Sequence, residues 1–237
     1  METPVGAPLG EKIRIEIKKL REMTFKQKIE HIWEYYKPLL ITIVIVVALT
    51  ASLLNAFVFN PSPKAIIFIS WNGGLVSIDH LDELLYTLED IMIDEDVNEE
   101  IILSQMLVNE DDLSMVYMNN TRLAAMIASR QIDAFINSPA MLDMHSVNGF
   151  LRPVDDDILA AIKALNPGIY MHIEENFVHM HYELADGSPA EGILAVNIGK
   201  SPLLTRLGFF EQDLFYSIAA GTERLNIVME TLIVFFE

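Results

Sequence analysis

From Leu39 to Phe59 the chain reads LLITIVIVVALTASLLNAFVF, 21 residues without a charge and with Asn55 as the only strongly polar side chain. As a helix this run rises about 30 Å at 1.5 Å per residue, the thickness of a bilayer's hydrocarbon core. Its apolar positions cover every face, so in water it would have to be buried on all sides. The pattern therefore predicts a transmembrane helix over 38–60. A cleaved signal peptide would carry a shorter apolar stretch ending in a small-x-small site, whereas here FVFNPSPK follows, so an uncleaved signal anchor is expected.

Ahead of the span, Ile13, Ile17, Leu20 and Met23 recur at helical spacing, and so do Phe25, Ile29 and Ile32. Thr24 followed by Gln27 has the form of a capping box, which predicts a break and a second helix start there. Residues 1–37 thus read as a basic amphipathic segment. It suits the inner leaflet of a membrane or contact with another membrane subunit, and the pattern leaves both open.

Beyond Pro61 and Pro63 the period changes, and strand patterns alternate with helical ones. Strands are expected at 64–70 (KAIIFIS), 101–108, 132–137 (IDAFIN), 169–173, 177–184, 192–198 (GILAVNI) and 214–219. Helices are expected at 79–92, 120–130, 158–165, 201–207 and 222–236, the fourth opened by Ser201 and Pro202 and the last capped by Thr222. In that last helix Leu225, Val228, Met229, Leu232 and Phe236 form one apolar stripe. Ser138-Pro139 opens a further helix, while Asn166-Pro-Gly168 and Asp186-Gly-Ser-Pro189 read as turns. The alternation predicts a compact α/β domain over 61–237 with a largely parallel sheet.

Charge adds direction. Residues 1–37 hold eight Lys/Arg against six Glu, and the rest of the chain holds eight basic against 28 acidic residues, a balance of −20. After the span comes Lys64, then no basic residue until Arg122. The positive-inside rule places the N-terminus in the cytoplasm and the α/β domain outside the cell membrane, with Trp33, Tyr35 and Tyr36 at headgroup level. So acidic a domain repels phosphate, which excludes nucleic acid as a partner. The chain has no cysteine, which excludes disulfides, thiolate nucleophiles and Cys-ligated metal.

Candidate chemistry is sparse. His172, Glu174, His179 and His181 would converge as three imidazoles and a carboxylate if 169–173 and 177–184 formed a hairpin, but the spacing matches no zinc motif and no metal is assigned. Asp155-Asp156-Asp157 precedes a helix and reads as N-capping, and Asp94-Glu-Asp96 lacks the ligand spacing of a calcium loop. Trp71-Asn-Gly-Gly74 follows the first strand but is no phosphate-loop fingerprint. No nucleophile elbow or other catalytic signature occurs, so an enzyme is not expected, nor is a cofactor.

The stretch Thr121–Asp157 contains Arg130-Gln-Ile-Asp133, the strand Ala134–Asn137, and Gly149-Phe-Leu-Arg-Pro-Val154. It resembles a recurring segment of periplasmic-binding-protein-like domains of type 2, and GILAVNIGKSPLL with FYSIAAGTERLNIVMETLIVFF is similar to their strand followed by a closing helix. KQKIEHIWEYYKPLL before the span is similar to uncharacterised membrane-anchored proteins of Gram-positive bacteria. The resemblance implies a reduced version of one such lobe, since two full lobes need more chain. It further implies a membrane-anchored binding module for a small solute or peptide, or an accessory subunit of a membrane transport complex. The competing expectation is a structural interaction module without a small-molecule site. In open α/β sheets ligands collect beyond the carboxyl ends of strands, which nominates Trp71, Asn72, Asn119, Asn137 and Ser138 as ligand-binding residues.

Overall fold

In the computed structural model, residues 8–72, 74, 76–94, 96–106, 113–183, 187–209 and 213–237 are described. They form two compact units, Met1–Ser62 and Pro63–Glu237. In the first unit, α1 (Leu9–Glu22) ends at Met23 and α2 (Phe25–Leu54) starts after Thr24. Gln27 makes the break: its Oε1 accepts from the Thr24 N–H at 3.0 Å and from the Thr24 hydroxyl at 2.9 Å. The region Lys37–Phe59 is long and apolar enough to cross a membrane, and none of its apolar window is buried by protein.

Two hydroxyls inside this helix are satisfied by its own backbone, as a bilayer would require of a span. The Thr42 hydroxyl donates to the Pro38 carbonyl at 2.9 Å and the Thr50 hydroxyl to the Val46 carbonyl at 2.8 Å. The helix closes in a π-helical turn over Asn55–Phe59, where Asn60 Nδ2 donates to Asn55 Oδ1 at 3.0 Å. At the other end Lys37 lies 5.6 Å over the Trp33 ring, a cation–π contact.

The second unit is built on a six-stranded sheet in the order β2-β1-β3-β6-β5-β4. Its strands are β1 (Lys64–Asn72), β2 (Glu99–Gln105), β3 (Ala134–Asn137), β4 (Phe177–Glu183), β5 (Pro189–Asn197) and β6 (Phe215–Ile218). β2, β1 and β3 are parallel, whereas β6, β5 and β4 join as antiparallel neighbours. The sheet is therefore mixed and not largely parallel. The connection from β4 to β5 is too short for a crossover helix, so these two strands can only form a hairpin.

Side chains alternate across this sheet and make two apolar layers. Ile67, Ile69, Trp71, Ile136 and Tyr216 face a layer filled by α3 (Ile78–Met92), α6 (Asp156–Leu165), α7 (Pro167–Glu174), α8 (Pro202–Arg206) and α9 (Leu225–Phe235). Phe135 and Ala195 face a second layer with α4 (Leu113–Ala128) and α5 (Pro139–Val147), through Leu123, Ile127 and Leu142, and Leu194 joins them because a register shift against β4 interrupts the alternation there. The expected stripe on α9 packs as read, with Val228, Met229, Leu232 and Phe236 buried and Leu225 half-buried against them.

Three further expectations are corrected. Residues 169–173 are helix, not strand, because Asn166-Pro-Gly168 is a helix start. Asn166 Oδ1 accepts from the Ile169 N–H at 3.2 Å, Pro167 sits in the first turn, and Tyr170 and Ile173 are buried at helical spacing. The cap of α3 is Ser77, whose Oγ accepts from the His80 N–H at 3.3 Å, two residues before the expected Asp79. Thr222 does not cap α9, which starts at Leu225 after Arg224. Leu107 and Val108, expected to end a strand, lie outside the described residues, as do Gly73, Glu95 and Asp186.

Thr222 is instead drawn to Asp133, a carboxylate with no exposed surface. Asp133 Oδ2 accepts from the Phe68 N–H on β1 at 2.9 Å, and Oδ1 accepts from the Thr222 hydroxyl at 2.7 Å with Arg224 Nε at 3.4 Å. Arg224 also donates to the Ala65 carbonyl at 3.0 Å. Around this carboxylate, α4 turns into β3 through Arg130, which takes a left-handed φ of 56°. The Gln131 N–H reaches back to the Met126 carbonyl at 2.8 Å and the Arg130 N–H to the Ile127 carbonyl at 2.9 Å, a Schellman closure made without glycine. Arg130 forms an ion pair with Glu223, and a Cβ at Gly221 would meet the Ile127 carbonyl oxygen at 2.6 Å.

Asp133→Ala is predicted to destabilise the chain by roughly 3–5 kcal/mol in urea unfolding, because it strands a buried N–H and a cation. Thr222→Ala, which removes one neutral donor, should cost about 1–2 kcal/mol. Equal and small losses at the two positions would contradict the assigned roles.

Candidate functional site

The carboxyl ends of β1 and β3 carry four of the five nominated residues. The pleat divides them. Asn72 and Asn137 pair in register and share the second layer's side of the sheet, whereas Trp71 points into the first. Trp71 is fully buried, its ring 5.5 Å from Phe209 and its Nε1 donating to the Gly74 carbonyl at 3.2 Å. Ser138 is half-buried and caps α5, its Oγ accepting from the Met141 N–H at 3.4 Å. Asn119 is half-buried on α4.

What the strands do assemble is a buried polar row of Ser70, Asn72, Asn137 and Ser217. Asn72 Nδ2 donates to Ser70 Oγ at 3.2 Å and lies 3.5 Å from Asn137 Oδ1, and Asn137 Nδ2 lies 3.5 Å from Ser217 Oγ. Asn72 Oδ1 is buried without a hydrogen-bond partner. The chemistry of this row is hydrogen bonding between neutral groups, and it holds no acid or base. Ser70 and Ser217 were not nominated from the sequence. Their signal was the register, two residues before Asn72 and opposite Phe135, which only strand pairing reveals.

His145 on α5 is a second feature that the sequence did not single out. It is fully buried between Phe135 (4.8 Å between ring centroids) and Phe150 (5.7 Å), and neither ring nitrogen has a partner. Burial lowers its pKa from 6.5 to about 4. The signal available was a lone histidine among apolar residues in Met141–Ser146, which fits an apolar helix face as well as a ligand.

The histidine group does not assemble as drawn. His172 lies in the last turn of α7, while His179 and His181 are exposed on the edge strand β4, His181 3.9 Å from Glu191. Among the described residues no three His, Asp or Glu side chains are grouped to hold a metal ion. Asp155 caps α6, its Oδ1 accepting from the Ile158 N–H at 2.9 Å, with Asp156 and Asp157 in the first turn.

Open depressions lie elsewhere. One of about 410 Å³ runs between the end of α5 and the β4–β5 hairpin, lined by Ser146, Gly149, Leu151, Tyr182 and Leu194 among others. Two more, of about 320 and 330 Å³, adjoin along α9 and share Leu165 and Glu230.

The depressed pKa of His145 makes stability pH-dependent with a definite sign. The unfolded chain takes up the proton near pH 6.5 and the folded chain only near 4, so stability is complete above about 6.5 and falls as pH drops towards 4. The loss attributable to His145 should approach roughly 3 kcal/mol, at about 1.4 kcal/mol per pKa unit. Urea unfolding at pH 7 and pH 5 should therefore show a smaller decrease for His145→Leu than for the wild type. Parallel decreases would mean that the imidazole is charged or solvated in the fold.

No family model, curated protein or solved structure matches this chain.

Proposed function

We propose that the chain is a single-pass membrane protein whose extracytoplasmic α/β domain binds a polypeptide partner, as an accessory subunit of a membrane complex. The observation that carries this reading is a contrast within the α/β unit. Trp71, Asn72 and Asn137 at the strand ends are buried and bonded to their neighbours, while depressions lined by both apolar and polar residues lie open along α9 and beside β4. Small-molecule sites enclose most of their ligand, whereas open grooves suit chain segments. The apolar helix Lys37–Phe59 supports anchoring, and the eight Lys/Arg within residues 1–37 support a cytoplasmic N-terminus.

A reduced periplasmic-binding-protein-like lobe is the origin we propose for the domain. In support, the motif residues behind the resemblance hold this fold together. Asp133 ties β1 to the turn before α9, and Gly149–Val154 returns to the sheet through bridges from Leu151 to Ala219 and from Val154 to Ile193. One observation favours a second reading, capture of a small solute at the strand ends. The unpartnered Asn72 Oδ1 is an acceptor that a ligand donor would satisfy. Thermal-shift screening against amino acids, sugars and peptides separates the two readings. A clear shift with a small solute, abolished by Asn72→Ala, would replace the partner reading with this one.

Topology is tested with protease added to intact cells. The proposal predicts removal of residues 63–237 and a short protected N-terminal fragment. Full protection of the domain in cells with an accessible surface would overturn it.

A further inference from the structure

Three helices of the α/β unit end at one surface. The depression of about 320 Å³ is lined by Ile91 and Met92 at the end of α3, by Leu165 at the end of α6, and by Ile233 and Val234 near the end of α9. Each helix C-terminus carries the equivalent of about half a negative charge on carbonyls without intrahelical partners. α3 and α9 have no basic residue in the last turn to neutralise it. α6 has Lys163, but its ammonium lies 5.4 Å over the Tyr170 ring. α7 also begins here, and its first turn is already closed by Asn166 Oδ1. Glu230 and Glu237 add carboxylates to the rim.

The floor beneath this negative rim is apolar. Ile233 and Val234 form its buried base, while Ile91 and Leu165 are 45% and 47% exposed at its sides. The adjoining depression of about 330 Å³ continues the floor through Ala161, Ala164 and Met229, with Glu230 between the two. We infer that this double groove docks a partner segment that presents apolar side chains on either side of a lysine or arginine, the cation meeting Glu230 and the helix ends. The inference rests on the partner-binding reading and names the surface and the chemistry. A second copy of the chain is a poor occupant, because two units each near −20 repel. An anionic segment is excluded by the same field.

The test uses the full chain in detergent micelles and a fluorescent amphipathic helical peptide with leucines at helical spacing flanking one lysine. Companion peptides carry glutamate in place of that lysine or a scrambled order. Saturable binding is expected, at least tenfold weaker for the glutamate and scrambled peptides. Glu230→Lys and Leu165→Asp alter exposed positions and should each weaken binding at least fivefold, and Glu230→Lys should bind the glutamate peptide better than the wild type does. Equal binding by all peptides, indifference to both substitutions, competition by hexyltrimethylammonium at the peptide's own concentration, or a dimer lost in Leu165→Asp would overturn the inference. In native membranes a photo-crosslinking residue at Leu165 should capture a partner segment that Glu230→Lys releases. Crosslinks at Tyr86 or Val147 but not at Leu165 would overturn the groove and leave partner binding standing. No crosslink at any of the three would overturn both.

Discussion

A carboxylate with no exposed surface has to be matched where it sits, or it destabilises the fold that buries it. Asp133 is matched from three directions: a backbone N–H of β1, the hydroxyl of Thr222 and the guanidinium of Arg224. The same residue lends its own N–H to the Phe68 carbonyl and its carbonyl to the Ala219 N–H, so it belongs at once to β1, β3 and the end of β6. This is where the parallel half of the sheet meets the antiparallel half. A mixed sheet needs its register fixed at that junction, because a one-residue slip would exchange its two apolar layers. Gly221 against the Ile127 carbonyl and Arg130 beside Glu223 hold the same turn from the α4 side.

Much of the secondary structure was legible because its signals are local. The α9 stripe, the Ser138 and Ser201 caps and the apolar run of β1 follow from periodicity and capping alone. Asn166-Pro-Gly168 shows the limit: the same three residues write a turn or a helix start, and only the burial of Tyr170 and Ile173 decides between them. Asp133 stood in the stretch Arg130–Asp133 singled out in the sequence, but its partners Thr222 and Arg224 lie 89 and 91 positions away, and no local pattern connects them. The candidate site was legible in position and not in orientation. Naming Trp71 beside Asn72 placed adjacent residues in one cleft, whereas a strand sends them to opposite faces. The grooves on α9 were invisible to the sequence, because one arises from three helix ends brought together by the sheet and the other from α6 laid along α9.

On the proposed topology, anchoring changes what a groove must achieve. A domain held at the membrane meets a membrane-bound partner at high effective concentration, so an open contact of modest affinity suffices. The acidic surface then acts through specificity, repelling anionic partners and steering cationic segments towards the helix ends.

The anchoring half of the proposal rests on the segment Lys37–Phe59 lying in a bilayer, where its uncovered apolar faces would need no protein partner. The most direct measurement is alkaline carbonate extraction of membranes from cells expressing the full chain, compared with a variant carrying Val44→Asp and Val47→Lys. The account predicts that the wild-type chain stays in the membrane pellet and the variant does not. Release of the wild-type chain into the supernatant would contradict it.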